Sequence, residues 1–130
     1  MQSARPDSPF QFALLEHTTA AGIHWDLLVE VPGQDTLATW RLLADPLTND
    51  SVPAESIGNH RRIYLEFEGD IGGSRGTVRR IDRGTATISF RGDETVLDLN
   101  GRLLYVQCVL TLDPPLMRIE RTRPRRPWAK

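Results

Sequence analysis

Nine short apolar runs, each closed by a turn signal, constrain this chain more than any other feature. The runs cover 10–16, 23–31, 36–43, 61–69, 77–82, 85–91, 95–99, 102–110 and 116–120, and each is rich in β-branched, aromatic or alternating apolar positions. Between them lie PGQD, GGSRG, DRGT, RGDE, LNGR and DPP, which supply positive φ or fix it. No amphipathic helical period competes with this pattern. The expectation is an all-β domain: a compact antiparallel β-barrel of about eight strands, with a sandwich as the other architecture of this kind. The stretch 44–59 (ADPLTNDSVPAESIGN) reads as one long irregular loop, with a turn of helix at PAES.

Residues 1–120 read as a single domain, and 121–130 as a basic C-terminal tail. That division follows from charge. Fifteen of the sixteen basic residues are Arg, and Lys130 is the only lysine. Residues 1–120 carry eleven basic side chains against seventeen acidic ones, a net charge of −6, whereas RTRPRRPWAK carries five positive charges and no acid. Such a tail can neutralise phosphates near a groove, or simply be an unstructured terminus. A single cysteine, Cys108 in the run LLYVQCVLTL, excludes an internal disulfide and a zinc site built from several thiolates, and reads as a small core residue. No apolar run approaches the roughly 18 residues of a membrane span, and MQSARPDSPF lacks a secretory apolar region. The expected localisation is therefore cytoplasmic, without a membrane partner.

All three histidines fall in or beside two runs. In IHWDLLVE, strand alternation points Ile23, Trp25, Leu27 and Val29 one way and His24, Asp26, Leu28 and Glu30 the other. His24 and Asp26 are then about 7 Å apart at Cα, close enough to converge on one divalent ion. A short hairpin at TTAAG can bring His17 beside them. Two imidazoles and a carboxylate suit Mn²⁺, Zn²⁺ or Fe²⁺ better than Ca²⁺. The same residues also fit a strand that turns a polar face to solvent. Read as a strand, HRRIYLEFEG puts His60, Arg62, Tyr64, Glu66 and Glu68 on one face and Ile63, Leu65 and Phe67 on the other. An imidazole, a guanidinium and a phenol form a phosphate-binding, proton-transferring set, and a solvated strand face is again the plainer alternative. Trp25 and Trp40 read as core, and Glu66, Glu68 and Asp70 as a solvated rim. Gly69, Gly76 and Gly84 read as turn positions.

These residues resemble the 3′-phosphoesterase domain of bacterial DNA ligase D. The likeness rests on Phe12, His17, His24-Trp25-Asp26 and Glu30, then Thr39-Trp40, then His60, Tyr64 and Phe67-Glu68-Gly69. It ends with Gly76-Thr77-Val78 and Asp82-Arg83-Gly84-Thr85, so it spans about residues 10–110. The H-x-x-x-Y-x-x-F-E-G and D-R-G-T pieces are the most specific. The resemblance implies a β-barrel with a metal, most simply Mn²⁺ with Zn²⁺ as the alternative, in a polar groove. It also implies removal of 3′-terminal ribonucleotides and 3′-phosphates from DNA ends. Carried over, His17, His24 and Asp26 are metal ligands, His60 is a catalytic residue at the scissile phosphate, and Tyr64 supports that phosphate.

Two departures bear on activity. The family's Arg two residues after the metal-binding Asp is Leu28, and its P-K-G-P segment reads Leu43-Ala44-Asp45-Pro46. With Lys130 the only lysine, no neighbouring Lys can step in; Arg62 or Arg41 are the candidate phosphate contacts. Three expectations follow. The first is a metal-dependent phosphoesterase acting on nucleic-acid 3′ ends. The second is a weakened metal- and phosphate-binding module that recognises ends or recruits a repair partner. The third is a barrel acting on another phosphorylated molecule. Without a ligase or polymerase module in this sequence, those partners are expected in trans.

Overall fold

The computed structural model describes residues 10–121. The strands are β1 (Phe10–Thr19), β2 (Gly22–Glu30), β3 (Leu37–Leu42), β4 (Ser51–His60), β5 (Gly69–Asp70), β6 (Thr77–Arg91), β7 (Glu94–Gly101), β8 (Tyr105–Leu112) and β9 (Pro115–Glu120). All pairings are antiparallel, in the order β1-β2-β3-β4-β9-β8-β7-β6-β5. A further pairing of β1 with β6 closes eight strands into a barrel-like ring. The expected all-β, eight-stranded architecture is therefore present. No helix among the described residues is long and apolar enough to cross a membrane.

Alternate residues of the eight ring strands fill one interior cluster, including Phe12, Leu27, Leu42, Val52, Leu97, Cys108 and Met117. Trp25 and Trp40 pack against it, as expected. A second, smaller cluster of Ala13, Leu15, Leu28, Leu37 and Leu65 lies on the opposite side of β1–β3, with Tyr64 against it. This outer cluster explains why β1 and β2 each bury four consecutive residues rather than every second one. Strands covered on both faces read as continuous apolar runs.

Three sequence-based expectations are corrected. The long loop expected over 44–59 ends early: Ser51–His60 is β4, with Val52 and Ala54 facing the interior, and PAES is strand rather than helix. Residues 61–69 are not a strand. The chain leaves the ring after His60, forms a 3₁₀ turn over Arg62–Leu65, and regains pairing only at β5. Leu65 is buried in the outer cluster while Ile63 is 61% exposed, so the two do not share a covered face. A short apolar run has too few positions for its period to separate strand from turn.

The third correction concerns Asp82-Arg83-Gly84-Thr85, which is not a turn: β6 runs unbroken through it. Gly84 faces Gly101 on β7, and a Cβ on it would stand 2.1 Å from the Asn100 carbonyl oxygen. Close backbone approach, not positive φ, requires glycine there. Asp82 is buried and accepts three backbone N–H bonds, from Arg102, Leu103 and Leu104, at 2.8–3.0 Å.

At the other end, Arg121 belongs with the ordered body. Its guanidinium donates to Asp50 and to the carbonyls of Pro46 and Asn49, tying down the 44–50 segment. The remaining basic tail and residues 1–9 lie outside the described residues.

Cys108 is fully buried, and burial pushes its thiol up to about 12. A thiol held protonated in the core is unreactive. The expected result is no modification of native protein by Ellman's reagent at pH 8, and one thiol per chain in guanidinium chloride. Rapid labelling of the folded protein would contradict this burial.

Candidate metal centre

Cross-strand register assembles the centre on the outer wall of the ring. In the β1–β2 ladder His17 stands opposite His24, and Leu15 opposite Asp26. In the β2–β3 ladder Asp26 stands opposite Arg41. Residues directly opposite in an antiparallel pair point to the same face, so two adjoining ladders bring these side chains together.

The resulting distances are short. His17 Nδ1 lies 3.0 Å from His24 Nε2, His24 Nε2 lies 3.5 Å from Asp26 Oδ1, and His17 Nδ1 lies 4.0 Å from Asp26 Oδ2. One ligand atom from each residue falls within 4.8 Å of the others, the one such grouping of His, Cys, Asp or Glu found among the described residues. Metal bonds of about 2.1 Å at tetrahedral or octahedral angles place neighbouring donors about 3.0–3.4 Å apart. The cluster needs little closure to meet that spacing.

The surroundings prepare both imidazoles. His17 Nε2–H donates to the Arg75 carbonyl at 2.8 Å, which leaves Nδ1 as the lone-pair nitrogen facing His24 and Asp26. Such a carbonyl partner on the distal nitrogen is the usual orienting device for a ligating histidine. Arg75 is held in place by its own loop. Its guanidinium donates to the Gly72 and Ile71 carbonyls, and Asp70 accepts from Gly72 N–H. Gly76 lets this loop press on β1: its φ is +99°, and a Cβ there would stand 2.1 Å from the Thr18 carbonyl oxygen. The pKa of His24 is lowered, chiefly by burial and further by the positive charge of Arg41 and by His17, against the opposing pull of Asp26. That favours the neutral imidazole a metal requires. Asp26 is buried, and its Oδ1 has no hydrogen-bond partner; neither has Arg41 Nε, 3.9 Å away. A buried carboxylate oxygen without a donor is costly unless something else meets it. The donor set and this orphaned oxygen fit a divalent transition metal.

A pocket of about 150 Å³ opens beside the cluster, lined in part by His17, Asp26, Arg41, His60, Tyr64 and Arg75. His60 is the last residue of β4, and its Nδ1–H donates to the Gly58 carbonyl at 3.0 Å, leaving Nε2 as the other ring nitrogen. Tyr64 stands edge-on to both His60 and Phe67, each at 5.6 Å between ring centroids. His60 and Tyr64 thus line one pocket with His17 and Asp26, although the segment joining them is a turn.

Arg62 does not join them. Its guanidinium pairs with Glu30 on the outer wall, and Glu30 also accepts from Gln11 N–H at 2.7 Å. The cations at the pocket are instead Arg41, from β3, and Arg75. The role of Arg75 left no trace in the sequence, because it acts on His17 through a backbone carbonyl. Glu68 and Asp70 accept backbone N–H bonds from Arg80 and Gly72, respectively. Comparison with models of known protein families, and with curated proteins, finds no match to this chain.

Proposed function

We propose that this chain is a metal-dependent phosphoesterase that processes the 3′ ends of DNA during repair, removing a 3′-phosphate or a 3′-terminal ribonucleotide. The observation that carries the reading is the cluster of His17, His24 and Asp26, of which His17 and Asp26 line one pocket with His60 and Tyr64. These are the residues on which the resemblance to the ligase D 3′-phosphoesterase domain rests. The lowered pKa of His24 and the oriented His17 favour binding of a divalent metal, for which the resemblance implies Mn²⁺, with Zn²⁺ as the alternative. When bound, such an ion polarises a phosphoryl oxygen and lowers the pKa of an attacking water.

The remaining work falls to the chain. His60, fixed through Gly58, holds or delivers a proton at Nε2. Tyr64, held edge-on by His60 and Phe67, supplies a hydroxyl to the phosphate. Arg75 keeps His17 in its ligating orientation. A ligase or polymerase would then seal or extend the cleaned end, in the cytoplasm.

The test is incubation with Mn²⁺ and a primer ending in a 3′-phosphate or a single ribonucleotide. Product with a 3′-hydroxyl is expected, and His60→Ala is expected to lower turnover by about 10²–10⁴-fold. No product from the wild-type protein at stoichiometric concentration would overturn the reaction.

A second reading has its own observations. Leu28 is fully buried in the outer cluster at the position where the family carries Arg, and Arg62 is engaged by Glu30. With fewer cations at the pocket, the chain would bind metal and DNA ends, or recruit a repair partner, without efficient hydrolysis. Binding of Mn²⁺ and of 3′-phosphorylated primer with no turnover is the result expected of that module.

A further inference from the structure

We infer that Arg41 is the anion anchor of this pocket, and that it makes the site selective for a terminal, dianionic phosphate over an internal diester. The inference rests on the metal-centre reading above and narrows the proposed reaction to the 3′-phosphate: a 3′-terminal ribonucleotide is joined through a diester and is the poorer substrate. Arg41 faces the pocket because it stands opposite Asp26 in the β2–β3 ladder, and Asp26 belongs to the donor cluster. Its Nε is buried yet finds no acceptor, and the nearest carboxylate oxygen, Asp26 Oδ1, is 3.9 Å away, beyond hydrogen-bond reach. Two buried atoms of opposite charge thus stand side by side without a hydrogen bond to either. A cation on Asp26 and a phosphate oxygen on Arg41 satisfy both at once, through the charge-assisted contacts that guanidinium makes best.

Size and charge narrow the ligand. Pockets that enclose a drug-sized ligand span about 300–1,000 Å³, so a pocket of about 150 Å³ encloses a phosphate group more readily than a whole nucleotide. A divalent ion and the guanidinium groups of Arg41 and Arg75 outweigh the single carboxylate of Asp26, which favours a phosphate dianion over a singly charged diester. Of the other nearby arginines, Arg62 is paired with Glu30, and Arg75 spends donors on the carbonyls of Ile71 and Gly72.

Arg41 also repels the cation it neighbours, which gives a signature that a merely structural side chain lacks. The experiment uses the full chain and calorimetric titration, first with Mn²⁺ and then, on the loaded protein, with inorganic phosphate or dimethyl phosphate. Wild type is expected to bind phosphate at least tenfold more tightly than dimethyl phosphate. Arg41→Gln is expected to bind Mn²⁺ at least as tightly as wild type but phosphate at least tenfold more weakly. Arg41→Lys, which keeps the charge, recovers part of that loss, and Arg62→Gln behaves as wild type. Wild-type phosphate affinity in Arg41→Gln overturns the anchor, as does loss of Mn²⁺ binding in that variant. Equal binding of the two probes by wild type overturns the selectivity. Because no turnover is read, tight phosphate binding by a protein that leaves a 3′-phosphorylated primer intact upholds the anchor and rejects the reaction alone.

Discussion

His24→Ala and Asp26→Ala should each abolish stoichiometric Mn²⁺ binding in calorimetric titration, while His60→Ala should bind as wild type does. The three donors lie within 4.8 Å of one another, and His24 Nε2 is the atom nearest both partners. Asp26 matters for a second reason: it is the carboxylate that faces Arg41. Without it, a cation would meet two imidazoles and a guanidinium, with no anion to offset the guanidinium charge. Affinity should also fall with pH, because ligation requires neutral imidazole and protons compete for it. Burial lowers the pKa of His24 below its ordinary value of 6.5, so protonation of His24 weakens binding only once the pH drops beneath that value. Unchanged binding in both alanine variants would remove the centre.

Asp82→Ala should destabilise the metal-free fold by roughly 3 kcal/mol in urea denaturation, without a direct effect on the pocket. The carboxylate is 5% exposed and accepts the N–H groups of three successive residues, Arg102, Leu103 and Leu104. Hydrogen bonds to a charged group contribute about 1.5–3 kcal/mol each, and stranding a buried donor costs about 1–3 kcal/mol. The three bonds share one carboxylate and do not add in full. Even so, the loss is a large part of the 5–15 kcal/mol typical of a domain. Asp82→Asn keeps the shape but halves the acceptor capacity, and should fall between wild type and Asp82→Ala. A loss below about 1 kcal/mol in Asp82→Ala would show that the 101–104 turn holds itself. The D-R-G-T segment, among the most specific pieces of the resemblance, thus has a structural explanation. Its Asp fastens β6 to the turn after β7, and its Gly admits the facing backbone.

Much of the centre was legible in the sequence because strand alternation is a local rule. His24 and Asp26 are two residues apart, so any strand through them puts both side chains on one face, and a short hairpin returns His17 to their level. His60 and Tyr64 reached the pocket by a different route from the one expected. Alternation along 60–68 assumed a strand, and the chain makes a 3₁₀ turn instead. That difference redirects Arg62 to Glu30 and removes it from the phosphate contacts. Arg41 was visible only as a candidate, since its place depends on the pairing of β3 with β2.

By itself the sequence determined the all-β class, the approximate number of strands, the buried cysteine and the faces of β2, all of which follow from turn chemistry and period-two patterning within a few residues. Only the tertiary structure decided what covers the outer wall, that Arg75 orients His17 through a carbonyl, and that Arg41 rather than Arg62 faces the pocket. It also decided that β6 runs unbroken through Asp82 and Gly84. These outcomes depend on register and on segments far apart in the chain: His17 and Arg75 are separated by 58 positions. No local pattern encodes such a meeting. Leu65 packs in the outer apolar cluster while Tyr64 and Arg75 line the pocket, so the 61–76 segment lies across the wall that carries the donors.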